Sequence, residues 1–197
     1  MNNVKKNFIY GAAILGAAGV ISKIIGAFYR IPLTNIIGTT GIGLYSMAYP
    51  IYSSLLIIST AGLPTAISKL VSEQITLGNR REAFKIFSNA FKVLLIIGIL
   101  TSSILLLFGN QIASLIGDVR AGLAMLSIAP SLLLVSVISA YRGYFQGHQN
   151  MAPTAVSQLI EQLIKLTVGI GLAIYMMKRF DGSELVYAYS AAGAVLG

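Results

Sequence analysis

Apolar runs long enough to cross a membrane follow one another along this chain with only short polar connections between them, and that succession leaves few folds open. A hydrocarbon layer of ~30 Å is crossed by ~20 residues of α-helix at ~1.5 Å each. Within it every backbone N–H and C=O needs an internal partner, so runs of this length are read as helices. They fall at about 8–36, 43–71, 84–108, 120–145 and 153–177, with a sixth over 184–197. The expectation is an all-α, polytopic transmembrane helix bundle of about six helices. The connections leave no room for an aqueous domain, and with 56% hydrophobic against 10% charged residues a single soluble core could not hide the apolar surface. The ending "YSAAGAVLG" has no polar flank, which suits a last helix cut short within a longer protein.

The start, "MNNVKK", is basic and precedes an apolar run, as in a signal peptide. That run is too long and shows no small-residue cleavage site, so it reads as a retained first helix. With a cytoplasmic N-terminus, the inner connections hold Lys5, Lys6, Arg80, Arg81, Lys85 and Arg142. The outer ones hold Arg120, Lys178 and Arg179 mixed with Asp118, Asp181 and Glu184. This asymmetry fits the positive-inside rule and predicts a multi-pass protein of the cytoplasmic membrane, N-terminus inside.

The chain has no cysteine and one histidine, His148, which leaves no thiolate or multi-histidine ligand set and no expected metal or cofactor. The net charge of +8 does not point to nucleic acid, because the basic residues lie among and at the ends of the spans instead of on one solvated face. No Ser-His-Asp set or carboxylate pair is placed for chemistry, so an enzyme is not expected.

What stands out is "GVISKIIGAFYRIPL", residues 19–33, where Lys23 and Arg30 interrupt the first span. At 100° per residue Gly19, Lys23, Gly26 and Arg30 share one helix face. The cations lie ~23 Å and ~33 Å along the helix from Phe8, so Arg30 approaches the outer interface and Lys23 does not. A cation facing lipid near mid-bilayer costs ~2.5–3.5 kcal/mol, which favours an interior or watery position for Lys23. The only carboxylates inside the spans are Glu73 and Glu161, each with its own cation four residues on the helix away, Lys69 or Lys165. Lys23 is thus left to attract an anion from outside the chain, and phosphate or diphosphate on a lipid carrier has the right chemistry.

Two stretches carry a family resemblance: residues 11–73, "GAAILGAAGVISKIIGAFYRIPLTN…AGLPTAISKLVSE", and residues 140–165, "AYRGYFQGHQNMAPTAVSQLIEQLIK". They resemble the polysaccharide-exporter branch of the multidrug/oligosaccharidyl-lipid/polysaccharide superfamily, in particular its stage V sporulation protein B and lipid II flippase-like members. The resemblance implies the N-terminal lobe of a two-lobed flippase that moves polyprenyl-diphosphate-linked oligosaccharide or peptidoglycan precursor by alternating access. Its implied partners are that anionic lipid-linked glycan, membrane lipids and a C-terminal lobe beyond residue 197. Lys23 matches a first-helix cavity cation of the family; Arg30 matches one residue out of register, with Gly26 between them. Arg142, Gln146, Gln149, Glu161 and Lys165 are candidates for gating or headgroup contact, against plainer roles as an anchoring turn and a Glu161–Lys165 structural pair. A cation-coupled drug extruder of the same superfamily is the alternative, although no acid occurs from Met1 to Ile37. A non-transport scaffold in cell-wall or spore-wall assembly is the other.

Prolines 32, 50, 64 and 130 and four first-helix glycines suit helices that bend. "PTAISKLVSEQ" from Pro64 also echoes "PTAVSQLIEQ" from Pro153.

Overall fold

A computed structural model of the chain describes residues 2–60, 62–180, 186–189 and 191, with side chains from residue 9 onward. Every described element is helical: α1 (Asn2–Thr60), α2 (Leu63–Thr76), α3 (Arg80–Ile116), α4 (Ala121–Gly147), α5 (Ala152–Ile164), a π-helical turn (Lys165–Gly169) and α6 (Ile170–Arg179). Four stretches are long and apolar enough to cross a membrane: Ile9–Thr76, Arg80–Ile116, Ala121–Gly147 and Ala152–Arg179. The 68 residues of the first would run ~100 Å as one rod, several times the thickness of a bilayer core.

It is not one rod. At Gly38 the backbone turns to φ 66°, ψ −176°, a conformation that a Cβ would oppose, and α1 breaks there into arms of residues 2–37 and 39–60. Arg30 and Leu33 border the same cavity as Tyr45 and Ser46, so the second arm runs back beside the first. A second glycine break, Gly62 at φ 71°, divides the stretch expected as one span over 43–71. It leaves α2 as a short amphipathic helix with Pro64 in its first turn. The echo noted between residues 64 and 153 is therefore a shared way of beginning a helix, because α2 and α5 both carry proline in the first turn, where a missing N–H costs nothing.

The expected spans over 84–108 and 120–145 correspond to α3 and α4, and that over 153–177 to α5 through α6 as one rod with a π-turn inside it. α3 is longer than its apolar run. Its start continues through the charged Arg80–Lys85 turn, and its end runs on to Gly117, whose N–H reaches Ala113 O and Ser114 O while the Asp118 N–H reaches Ala113 O. Of the sixth helix expected over 184–197, residues 186–189 are helical, and most of the remainder lies outside the described residues.

Three apolar clusters hold the bundle. Leu44 and Ala48 of α1 join Leu105 and Ala113 of α3 and Met125, Ile128 and Leu132 of α4. Tyr29, Leu33 and Ile37 join Ala173 of α6. Ile67 and Val71 of α2 join Ala83 and Leu94 of α3 and Ala140 of α4. Gly11 lies against Met151, and Gly147 against Val71. The start of α1, the α2–α3 turn and the α4–α5 turn therefore share one end of the bundle, which gathers Arg80, Arg81 and Lys85.

Candidate functional site

The first arm of α1, its second arm and α5 stand apart around a cavity of about 480 Å³. Lys23, Gly26 and Arg30 project from the first arm, as helical spacing required. Tyr45, Ser46 and Tyr49 line it from the second, and Gln162 and Lys165 from α5. The three cations come from two different helices. No carboxylate is among the residues that line this space.

Lys23 and Arg30 have exposed side chains with no ion pair or side-chain hydrogen bond among the described residues. Gly26 leaves its helix face open: a Cβ there would meet only Gln162 Oε1, at an ordinary 3.7 Å. Lys165, half-buried, extends its Nζ to 5.5 Å from the ring centres of both Tyr29 and Tyr49, a cation held between two π-faces. The tyrosines of the second arm form a ladder, with Tyr45 stacked on Tyr49 at 5.9 Å and Tyr49 tilted against Tyr52 at 6.1 Å. Pro50 lies inside that arm and lacks the N–H that would bond to the Ser46 carbonyl, at the cavity wall.

Two smaller spaces adjoin this one. The first, about 280 Å³, shares Ser22, Lys23 and Gln162 with it and adds Gly19, Arg142, Gln158 and Glu161. Within it Ser22 Oγ and Gln158 Oε1 are buried without a hydrogen-bond partner. The second, about 270 Å³, shares Tyr45, Tyr49 and Lys165 and adds Tyr52, Glu161 and an apolar wall from α4 that includes Ile128, Leu134 and Ile138. Together they form a cleft that is cationic on one side and apolar towards α4.

Glu161 does not pair with Lys165, the structural pair expected from their spacing. Arg142 Nη2 donates to Glu161 Oε2 at 2.8 Å and Arg142 Nε donates to Ser157 Oγ at 3.0 Å, tying α4 to α5. Arg142 is thus turned into the protein, where it also borders the space of about 280 Å³. Gln146 Nε2 reaches Thr154 Oγ1 at 3.5 Å, and Gln149 sits exposed at φ 59° in the α4–α5 turn; neither lines any of the three spaces. The Glu73–Lys69 pair suggested by spacing is also absent among the described ion pairs.

Sequence reasoning missed Tyr29, Tyr45, Tyr49 and Gln162. The signal for the ladder was present in "YSMAYPIY", which puts Tyr45, Tyr49 and Tyr52 on one helix face. A stripe of aromatics in a membrane helix reads first as packing.

Residues 8–197 match the family model described as "Polysaccharide biosynthesis protein". The chain is 32% identical over 194 residues to stage V sporulation protein B and 33% identical over 206 residues to lipid II flippase MurJ, both of Bacillus subtilis (strain 168). It is 34% identical over 195 residues to the membrane protein YabM of the same organism. These alignments cover 98% of this chain but 36% to 38% of the relatives, so the chain spans little more than a third of their length. No solved structure matches it significantly.

Proposed function

The chain belongs to the polysaccharide biosynthesis protein family, a multi-pass membrane group, and from that premise we propose that it forms one lobe of a flippase for polyprenyl-diphosphate-linked glycans or peptidoglycan precursors. The observation that carries this reading is the charge of the cavity between the two arms of α1 and α5: Lys23, Arg30 and Lys165 line it and no carboxylate does. Cations gathered without their own counter-ions attract anions, and a diphosphate offers oxygens to several at once. The polar space beside Ser22 and Gln158 has room and hydrogen-bonding groups for a sugar. The prenyl tail stays with lipid, where it costs nothing. The kinship with a lipid II flippase and a sporulation protein supports the class of cargo.

The mechanism is binding and reorientation, with no bond made or broken. Cargo enters the cleft with its diphosphate against Lys23, and the lobe rocks against a second lobe contributed by the remainder of the protein. The breaks at Gly38 and Gly62 and the π-turn at Lys165–Gly169 are the points at which the helices framing the cleft can change direction. The basic end of the bundle with Arg80, Arg81 and Lys85 faces the cytoplasm in this reading, together with the N-terminus.

Lys23→Ala and Lys23→Glu in the full-length protein test it, scored by rescue of flippase-deficient cells with membrane expression measured alongside. Loss of rescue by Lys23→Glu at normal expression is expected, and normal rescue by both variants overturns the proposal. A drug extruder of the same superfamily would need a carboxylate facing its cationic cargo, which the lining of the main cavity does not supply. A scaffold would be indifferent to the charge at residue 23.

A further inference from the structure

Glu161 and Lys165 are one helical turn apart on α5, the spacing at which opposite charges ordinarily meet. They are kept apart from both sides. Arg142, from α4, engages Glu161 at 2.8 Å and is itself steadied by Ser157 at 3.0 Å, while the Lys165 ammonium lies between the Tyr29 and Tyr49 rings. Glu161 borders both small spaces and not the main cavity; Lys165 borders the main cavity and shares only the second small space with Glu161. The tyrosine rings attract the ammonium without supplying a counter-charge to it.

We infer that Arg142 is a positioning residue for the anion site: by occupying Glu161 it prevents the carboxylate from neutralising Lys165, so that Lys165 acts with Lys23 and Arg30 as a third cation for a diphosphate. Arg142 acts on the diphosphate only through Glu161; the space it borders, beside Ser22 and Gln158, is the one assigned to the sugar. The charge seen by an anion in the main cavity is set from α4, a helix that does not line it. Removing Arg142 releases Glu161 to its intrahelical partner and lowers the charge available to the ligand by one.

The inference rests on the anion-binding reading above, and its test separates the two. Full-length protein in nanodiscs is titrated with farnesyl diphosphate, a soluble-tailed probe of the same chemistry. Arg142→Ala weakens binding at least about tenfold, the order of one lost charge-assisted contact. Adding Glu161→Gln to Arg142→Ala restores affinity to near the wild-type value, which a merely structural loss would not do. Glu161→Gln alone binds more tightly than wild type, because a carboxylate beside the site is gone; this variant keeps the test decisive should Arg142→Ala fold poorly. Arg142→Lys, which can still engage Glu161, binds within threefold of wild type. The inference is overturned if the double variant stays as weak as Arg142→Ala, or if Glu161→Gln alone weakens binding. If wild type binds the probe and Lys23→Ala weakens it while Arg142→Ala does not, Arg142's role fails and the anion site stands. Absence of binding by wild type removes both.

Discussion

α3 and α4 meet along a seam of small residues, whereas α1 and α5 touch in places but leave an open cleft between them; both pairs are built from the same greasy alphabet. In α4, 44% of the apolar window is buried and in α3 28%, against 11% for the stretches that frame the cleft. A Cβ at Gly98 of α3 would come within 2.9 Å of Ser136 Cβ and 3.1 Å of Leu133 Cα on α4. Ser102 Oγ donates across to the Ala129 carbonyl of α4 at 2.8 Å, and Ser59 Oγ, from the second arm of α1, donates to Thr101 Oγ1 of α3 at 3.1 Å. In lipid, helices gain little from hydrophobicity on meeting one another; close approach and hydrogen bonds hold them. The difference teaches that one half of the lobe is a scaffold whose shape is fixed by contact, and the other a frame whose spacing is left for cargo.

The sharpest way to break this contrast is to put the same kind of bulk into each half. A side chain at Gly147 would meet Val71 Cβ at 2.7 Å and the Ser68 carbonyl at 2.9 Å, backbone that cannot step aside. Gly147→Leu is expected to cost about 3 kcal/mol or more by overpacking. Gly16 of α1 has nothing within 4 Å of its would-be Cβ, and Gly16→Leu should leave stability unchanged or slightly higher. Unfolding in mixed micelles by SDS titration reads both. Equal losses would mean that the first arm of α1 is packed as tightly as α4.

Charge is the second lever, and it should act in the opposite half. Lys23→Glu removes a cation from the cleft and adds a repulsive charge, for an expected loss of diphosphate affinity of about 2.7 kcal/mol, roughly a hundredfold. The SDS midpoint should not move, because Lys23 has no ion pair among the described residues. A variant that unfolds early and binds normally would place Lys23 in the scaffold.

Much of this division was legible in the sequence, and the rest was hidden for physical reasons. The positions of the spans follow from the apolar runs, and the common face of Lys23, Gly26 and Arg30 follows from helical periodicity. The break at Gly38 falls in the connection expected between the spans over 8–36 and 43–71, but that at Gly62 was hidden, since glycine in a membrane helix serves close packing as readily as a left-handed turn, and only φ distinguishes them. Lys165 was legible as a candidate but not as a third cavity cation, because the local rule paired it with Glu161. The rival partner, Arg142, lies 19 positions away and meets Glu161 only once α4 and α5 are folded against each other. Local spacing shows which pairs can form, and tertiary contact decides among them.

A smaller effect sharpens the account of the seam. Ser102→Ala removes one buried hydroxyl bond between α3 and α4 and should cost about 0.6–1 kcal/mol, the usual worth of such a bond in lipid. Thermal unfolding in detergent, compared with Ser103→Ala on the neighbouring, less buried position, isolates it. A cost as large as that of Gly147→Leu would show hydrogen bonds, and not fit, to be what holds the scaffold.

The least effect is expected from the strongest-looking ion pair of the tight half. In the turn that joins α3 to α4, Arg120 grips Asp118 with Nε at 3.0 Å from Oδ1 and Nη2 at 2.7 Å from Oδ2, and the Arg120 backbone N–H adds a bond at 2.9 Å. The Arg120 side chain beside it holds the Asp118 carboxyl below its usual range. A carboxyl depressed in the folded state stabilises the fold at pH values above its unfolded titration and ceases to do so as pH falls through its folded value. Wild type and Asp118→Asn should therefore differ slightly at neutral pH and converge in strong acid. The neutral-pH difference should be smaller than that of Ser102→Ala, because both charges face solvent, where water and salt screen them. If thermal unfolding at several pH values instead showed a large, salt-sensitive gap, the hairpin of α3 and α4 would owe its closure to charge at its tip, and the assignment of shape to one half and charge to the other would have to be redrawn.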